Sequence, residues 1–177
     1  MFFFSDERTH FEKGKIQVQT EFPFYEPGNT INGKVYLEIM EPCPAAFMEI
    51  EVKGGEKTSH IRYWHETEGE GEDARTVEKH EKVKAKKKFL EYKEKVMQIP
   101  DGVLQPGVYE VGFQFLVPHK VPSSLHFADK KDRHEPKAKV KYYIKAKLLN
   151  HEGDDEMKYK QVLAIREPAV AFKAGEE

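Results

Sequence analysis

Five lysines, Lys137, Lys139, Lys141, Lys145 and Lys147, occupy odd positions of the segment KAKVKYYIKAK, with Tyr143 among them. Side chains alternate between faces along an extended strand, so these six residues share one face at repeats of about 7 Å. Ammonium groups arrayed this way repel one another and attract anions, and an acidic or phosphorylated ligand is the chemistry they suit. The competing reading is a solvated outer face, neutralised by glutamates of a neighbouring strand or serving to discourage edge pairing. A second basic run, Lys82 to Lys88, either extends the patch toward a partner or an anionic membrane surface, or is a solvated hairpin arm.

The other reactive side chains do not assemble into a catalytic or metal-binding pattern. Eight histidines are scattered. Pairs such as His60 and His65, or His119 and His126, lack the close spacing and cysteine pairs of a zinc site. Cys43 is the single cysteine and lies between Pro42 and Pro44. With no histidine near it in sequence to activate its thiol, it reads as inert. Asp154, Asp155 and Glu156 form an acidic turn without the ligand order of a calcium loop. Trp64 reads as a packing residue at a strand end. Aromatic residues are not interleaved with the lysines as single-stranded nucleic-acid platforms require. The expectation is a binding protein with no cofactor and no metal, not an enzyme.

What must position the lysines is a set of half-buried strands. Ile31, Gly33, Val35, Leu37 and Ile39 alternate with polar neighbours; so do Met48, Ile50 and Val52, then Tyr109, Val111, Phe113, Phe115 and Val117, then Val140, Tyr142, Ile144, Ala146 and Leu148. Turn signals separate them at Pro27-Gly28-Asn29, Glu41 to Pro44, Pro100-Asp101-Gly102, Gln105-Pro106-Gly107 and Asn150 to Gly153. With Lys15 to Thr20, Phe89 to Ile99 and Met157 to Arg166, about eight or nine strands result, enough for two packed sheets. The stretch from His65 to Lys88 begins acidic and ends basic and reads as an exposed loop or long hairpin tip. Ala128 to Lys137 is a second polar loop.

A chain of 177 residues suits one large sandwich. Apolar residues make up only 38% and charged residues 34%, which an antiparallel sandwich tolerates because it buries every second strand residue. The net charge of −2 excludes a polyanion binder by bulk charge, so any basic site is local. One unpaired cysteine favours a reducing, cytosolic setting. The start, MFFFSDERTH, has neither the cationic region nor the apolar run of a signal peptide, and Phe2 to Phe4 suggest a short first strand. No run reaches the ~18 apolar residues of a membrane span.

Four pieces in order carry a family resemblance: PGNTINGKVYLEI from Pro27, AAFMEIEVKGGEKT from Ala45, the run from Pro106-Gly107 through Phe113, Phe115 and Pro118 to Pro122-Ser123-Ser124, and Tyr142-Tyr143-Ile144-Lys145-Ala146. Together they resemble the N-terminal domain of arrestins, the family that includes the α-arrestins and retromer-type cargo adaptors, over Lys15 to Pro168. The resemblance implies an all-β, two-sheet antiparallel immunoglobulin-like β-sandwich of arrestin N-domain type over residues 1–168, with 169–177 as linker or tail. No long amphipathic helix is evident, and the family's short helix, if present, would fall near Val83 to Lys95. The paired lysines with which visual and β-arrestins sense phosphate are missing from FFFSDER, and Pro23 stands where Arg166 would need an aspartate partner, so a complete phosphate switch is not expected. The Pro-Pro-x-Tyr motif of α-arrestins is absent as well.

The resemblance further implies a cytosolic adaptor or scaffold, associated with endosomal or plasma membranes. Its partners would be the cytoplasmic tails of membrane proteins, acidic or phosphorylated, and the trafficking machinery, with nucleic acid excluded. Capture would place a tail along the curved sheet or add it as an edge strand, with Lys137, Lys139, Lys141, Tyr143, Lys145 and Lys147 setting selectivity. A retromer-type coat subunit and a constitutive structural or cytoskeletal module are the alternatives.

Overall fold

The computed structural model describes residues 10–168. The expected strand at Phe2 to Phe4 and the tail 169–177 lie outside them. Eleven strands follow one another: β1 (His10–Phe11), β2 (Gly14–Thr20), β3 (Thr30–Ile39), β4 (Cys43–Pro44), β5 (Phe47–Glu68), β6 (Arg75–Gln98), β7 (Val103–Leu104), β8 (Gly107–Leu116), β9 (Leu125–Ala128), β10 (Lys137–Leu149) and β11 (Asp155–Leu163). One sheet runs β1-β2-β3-β8. The other runs β11-β10-β5-β6, with β9 pairing the start of β10, and β4 and β7 form a small ribbon. Every pairing between these strands is antiparallel. The chain is the all-β, two-sheet antiparallel sandwich that the alternating pattern predicts.

The alternation chooses which side of each sheet is buried. Ile31, Val35, Leu37 and Ile39 of β3 meet Met48, Ile50 and Val52 of β5 and Tyr142, Ile144, Ala146 and Leu148 of β10 in one core. Each fully buried aliphatic side chain contributes about 1.5–3 kcal/mol relative to exposure. Because the strand period is two, a slip of one residue in any pairing would turn these side chains outward, which holds the register in place.

A glycine lies at the centre of this packing. Gly54 stands directly opposite Tyr142, and a Cβ there would come within 2.5 Å of the tyrosine ring. The aromatic ring covers the bare glycine, and its hydroxyl donates a hydrogen bond of 2.5 Å to the carbonyl of Pro122. The Pro-Ser-Ser segment therefore does structural work. Its Ser124 Oγ accepts from the amide of Ile165 at 3.0 Å, and Ser123 Oγ accepts from Glu167 at 2.9 Å. These bonds hold the exit of the last strand beside Tyr25, which pairs with Ile165 in parallel.

The stretch from His65 to Lys88 is the outer part of one long hairpin. β5 has 22 residues and β6 has 24, paired from Phe47 with Gln98 out to Glu68 with Arg75. β10 reaches only as far as Ser59, so the hairpin extends as an arm of about 30 Å beyond it. The Ala128 to Lys137 loop braces the base of that arm. The amide of Ile61 donates to His134 O at 2.6 Å, and the Tyr63 hydroxyl donates to Arg133 O at 3.2 Å. The Arg133 guanidinium lies 4.0 Å over the Tyr63 ring and pairs with Glu78 across the hairpin.

Two expectations are corrected here. No helix forms between Val83 and Lys95, all of which belongs to β6. The period-two alternation of Lys82, Lys84 and Lys86 with Val83 and Ala85 pairs with β5 instead, and among the described residues the only helical turn is the 3-10 turn Gly71–Asp73. Trp64 is not at a strand end. It sits within the arm, half-buried, with the Arg62 guanidinium 5.7 Å from its ring.

Candidate functional site

Lys137, Lys139, Lys141, Tyr143, Lys145 and Lys147 do share the outer face of β10, opposite the core. β10 is not an edge. It lies between β5 on one side and β9 followed by β11 on the other, so guarding against edge pairing does not account for its lysines. That role belongs to the edge strands β6 and β11, and above all to β6, whose lysine-rich sequence blocks unwanted strand addition.

Register divides the face into two halves. In one half, Lys145 stands opposite Glu51 and Lys147 opposite Glu49. Glu51 is only 2% exposed, and its Oε1 lies 2.5 Å from Lys53 Nζ and 3.4 Å from Lys93 Nζ. Glu49 reaches Lys93 at 3.7 Å and Lys147 at 4.0 Å. Burial pushes the Glu51 carboxyl up, but the hydrogen bond from Lys53 and the charges of Lys147, Lys53 and Lys93 outweigh it and hold the group below the ordinary carboxylate value. Tyr143 marks the boundary, opposite Lys53, with the Lys160 ammonium 4.9 Å over its ring.

The other half has no such counter-ions. Lys139 stands opposite Lys57, and Lys57 opposite Lys86; Ser59 stands between Lys137 and Lys84. Among the described residues, Lys57, Lys84, Lys86, Lys139 and Lys141 have no carboxylate within 4.0 Å, whereas Lys137 pairs with Glu135 and Lys88 with Glu91. The ammonium of Lys141 is held below its ordinary value, first by hydrogen bonding with Lys139, then by burial and by the charges of Lys139, Lys160 and Lys57. A neighbouring anion would relieve that repulsion. Lys57, Lys84, Lys86, Lys139 and His126 line a shallow depression of about 350 Å³.

Sequence reasoning found the β10 lysines and the run from Lys82 to Lys88, and the fold brings Lys84, Lys86 and Lys88 of that run onto the face of the β10 lysines, whereas Lys87, opposite Glu56, lies on the other face. It missed Lys57, whose membership depends on pairing between distant strands. It also credited the whole row of lysines equally, although Glu49 and Glu51 neutralise one end. Arg166 is exposed, with its guanidinium 4.6 Å from the Phe24 ring, so it belongs to no buried ion network. Cys43 is buried, and burial first, then the charge of Glu156, pushes its thiol up, away from the reactive thiolate. Among the described residues no group of three or more His, Cys, Asp or Glu side chains could hold a metal ion, and no helix is long and apolar enough to cross a membrane.

The family profile described as "Arrestin (or S-antigen), N-terminal domain" matches residues 14–170, and the chain belongs to that family. The chain is 29% identical over 144 residues to Arrestin domain-containing protein A of Dictyostelium discoideum, an alignment that covers 80% of this chain and 24% of that protein. It thus spans about a quarter of that relative's length. Among solved structures, the sporulation control protein Spo0M of Bacillus subtilis superposes with a TM-score of 0.50 at 13% identity, covering 88% of this chain and 50% of that one. That likeness concerns the fold alone.

Proposed function

We propose that this domain is a cytoplasmic adaptor module that captures acidic or phosphorylated tails of membrane proteins on the uncompensated half of its lysine face. The observation that carries this reading is the division of that face. Among the described residues, Lys57, Lys84, Lys86, Lys139 and Lys141 come from three strands and lack carboxylate partners, while Lys53, Lys93 and Lys147 on the rest of the same surface meet Glu49 and Glu51. A surface made only for solubility would gain from interspersed charges throughout. Like charges gathered at the base of a braced arm favour an anionic partner and speed its encounter.

The test is fluorescence anisotropy with a synthetic peptide in which phosphoserine and glutamate alternate. Lys57→Glu/Lys139→Glu is expected to weaken binding by about tenfold or more, equivalent to at least ~1.4 kcal/mol, and wild-type affinity should fall steeply with added salt. Lys147→Glu, in the neutralised half, should change affinity less than about threefold. Equal losses from the two variants would remove the distinction between halves. Binding of anionic vesicles without binding of the peptide would point to a membrane surface in place of a tail.

A further inference from the structure

The edges of the two sheets are treated very differently. β6 carries eight lysines, and β11 carries Lys158 and Lys160. β8, the outer strand of the other sheet, has ten residues, GVYEVGFQFL, with no lysine, arginine, proline or bulge. Its single charge, Glu110, is neutralised by Lys34 at 2.6 Å. Among the described residues nothing pairs with the far side of β8. Its outward face also shows Val108 at 79% and Leu116 at 56% exposure, the first being the most exposed of the large apolar side chains described. A long, unbroken edge without lysine, arginine or proline and bearing exposed apolar groups is a template for another strand.

The sequence of β8 specifies which strand. In an antiparallel pair related by a twofold axis normal to the sheet, opposed residues must lie on the same face, so their numbers must share parity. Placing the axis at Gly112 sets Val108 against Leu116 of a second copy, Glu110 against Gln114, Val111 against Phe113 and Tyr109 against Phe115. Every apolar residue then meets an apolar one, at both ends of the pair, and each cross-strand pair of this type adds a few tenths to 1 kcal/mol. Moving the axis to Val111 would set Val108 against Gln114, and moving it to Glu110 would oppose two carboxylates. Gly112 has nothing within 4 Å of its Cβ position, leaving space at the axis.

We infer that β8 pairs with β8 of a second copy about a twofold axis at Gly112, joining two four-stranded sheets into a continuous eight-stranded one. A single pair of strands buries less surface than an obligate dimer, so the assembly is a reversible one that depends on concentration. It leaves the lysine faces free, because those belong to the other sheet, and it doubles the number of anion sites that can engage neighbouring tails.

Cysteine cross-linking tests both the assembly and its register. Cys43 is buried and does not compete. In Gly112→Cys the two new thiols are opposed, within the Cα separation that a disulfide spans, and mild oxidation should give a covalent dimer. In Val108→Cys the identical thiols are about 27 Å apart and should not link, whereas an equal mixture of Val108→Cys and Leu116→Cys should link heterotypically. Sedimentation equilibrium of the surface variant Val108→Lys/Leu116→Lys, with thermal melting to verify folding, should show dimer association weakened at least about tenfold. A wild-type chain that remains monomeric at all accessible concentrations, or Val108→Cys linking to itself as readily as Gly112→Cys, overturns the inference.

Discussion

Replacing Gly54 by valine is expected to lower the thermal midpoint of the domain by roughly 6–12 °C, corresponding to about 3 kcal/mol for a domain of this size. The Cβ alone would meet two ring carbons of Tyr142 at 2.5 Å and the Cβ of Leu90 at 3.1 Å. The ring cannot move aside cheaply: Tyr142 is fully buried, its hydroxyl is bonded to Pro122 O, and Phe89 packs against it with ring centroids 5.6 Å apart. Burial, the larger cause, and the charge of Glu167 push the tyrosine hydroxyl well above its ordinary value, so it remains a donor throughout the accessible pH range. Thermal melts of Gly54→Val, Tyr142→Ala and the double variant would check the argument. If the side chain and the ring compete for the same space, the double variant will be more stable than the sum of the singles by about 1 kcal/mol or more. Strict additivity would place the cost of Gly54→Val elsewhere. Gly112→Ala, at a position with open space around it, should leave the midpoint within a degree or two.

The same residues show what could be seen without coordinates. The buried faces of β3, β5, β8 and β10 were legible because Ile31 to Ile39, Met48 to Val52, Tyr109 to Val117 and Val140 to Leu148 alternate without interruption, and one buried face per strand is a local property. The hairpin was legible from composition, since His65 to Lys88 has few residues fit for a core. Its extent was not. β5 and β6 run far past the sandwich because they pair with each other, and only the resemblance to the family, not the residues from Val83 to Lys95 themselves, suggested a short helix there. The structural duty of Pro122-Ser123-Ser124 was also hidden, because its partners Tyr142, Ile165 and Glu167 lie at least 20 residues away.

The candidate site was half legible for the same reason. Period two places Lys137, Lys139, Lys141, Lys145 and Lys147 on one face, but whether each meets a carboxylate or another lysine depends on register with β5. That register puts Glu51 opposite Lys145 and Lys57 opposite Lys139. Only the long-range pairing, set by burial of Ile50, Val52, Ile144 and Ala146, decides that one end of the row is neutral and the other cationic.

Glu51 is the residue on which that division turns, and Glu51→Gln is expected to weaken the fold while strengthening anion binding. The carboxylate is 2% exposed and bonded to Lys53, with Lys93 near it. Its removal leaves Lys53, Lys93 and Lys147 facing one another without their buried counter-charge. Breaking a buried pair costs about 3–5 kcal/mol, but these lysines retain contact with solvent, and about 2 kcal/mol is the expected loss at neutral pH. The pH dependence has a definite sign. The folded-state value for Glu51 lies below the ordinary 4.5, so its contribution is fully present above 4.5 and is lost as pH falls through the lower folded value. The stability difference between wild type and Glu51→Gln, read from denaturant titrations, should therefore be constant from neutral pH down to about 5 and shrink steadily below the ordinary carboxylate range. At neutral pH the variant should bind the phosphoserine–glutamate peptide several-fold more tightly, because the cationic half then extends past Tyr143 to Lys145 and a buried negative charge is gone, while Glu49 still meets Lys93 and Lys147 and Glu91 still meets Lys53. A variant as stable as wild type would show that the lysines are satisfied by water. A less stable variant with unchanged affinity would show that the peptide engages some other part of the surface.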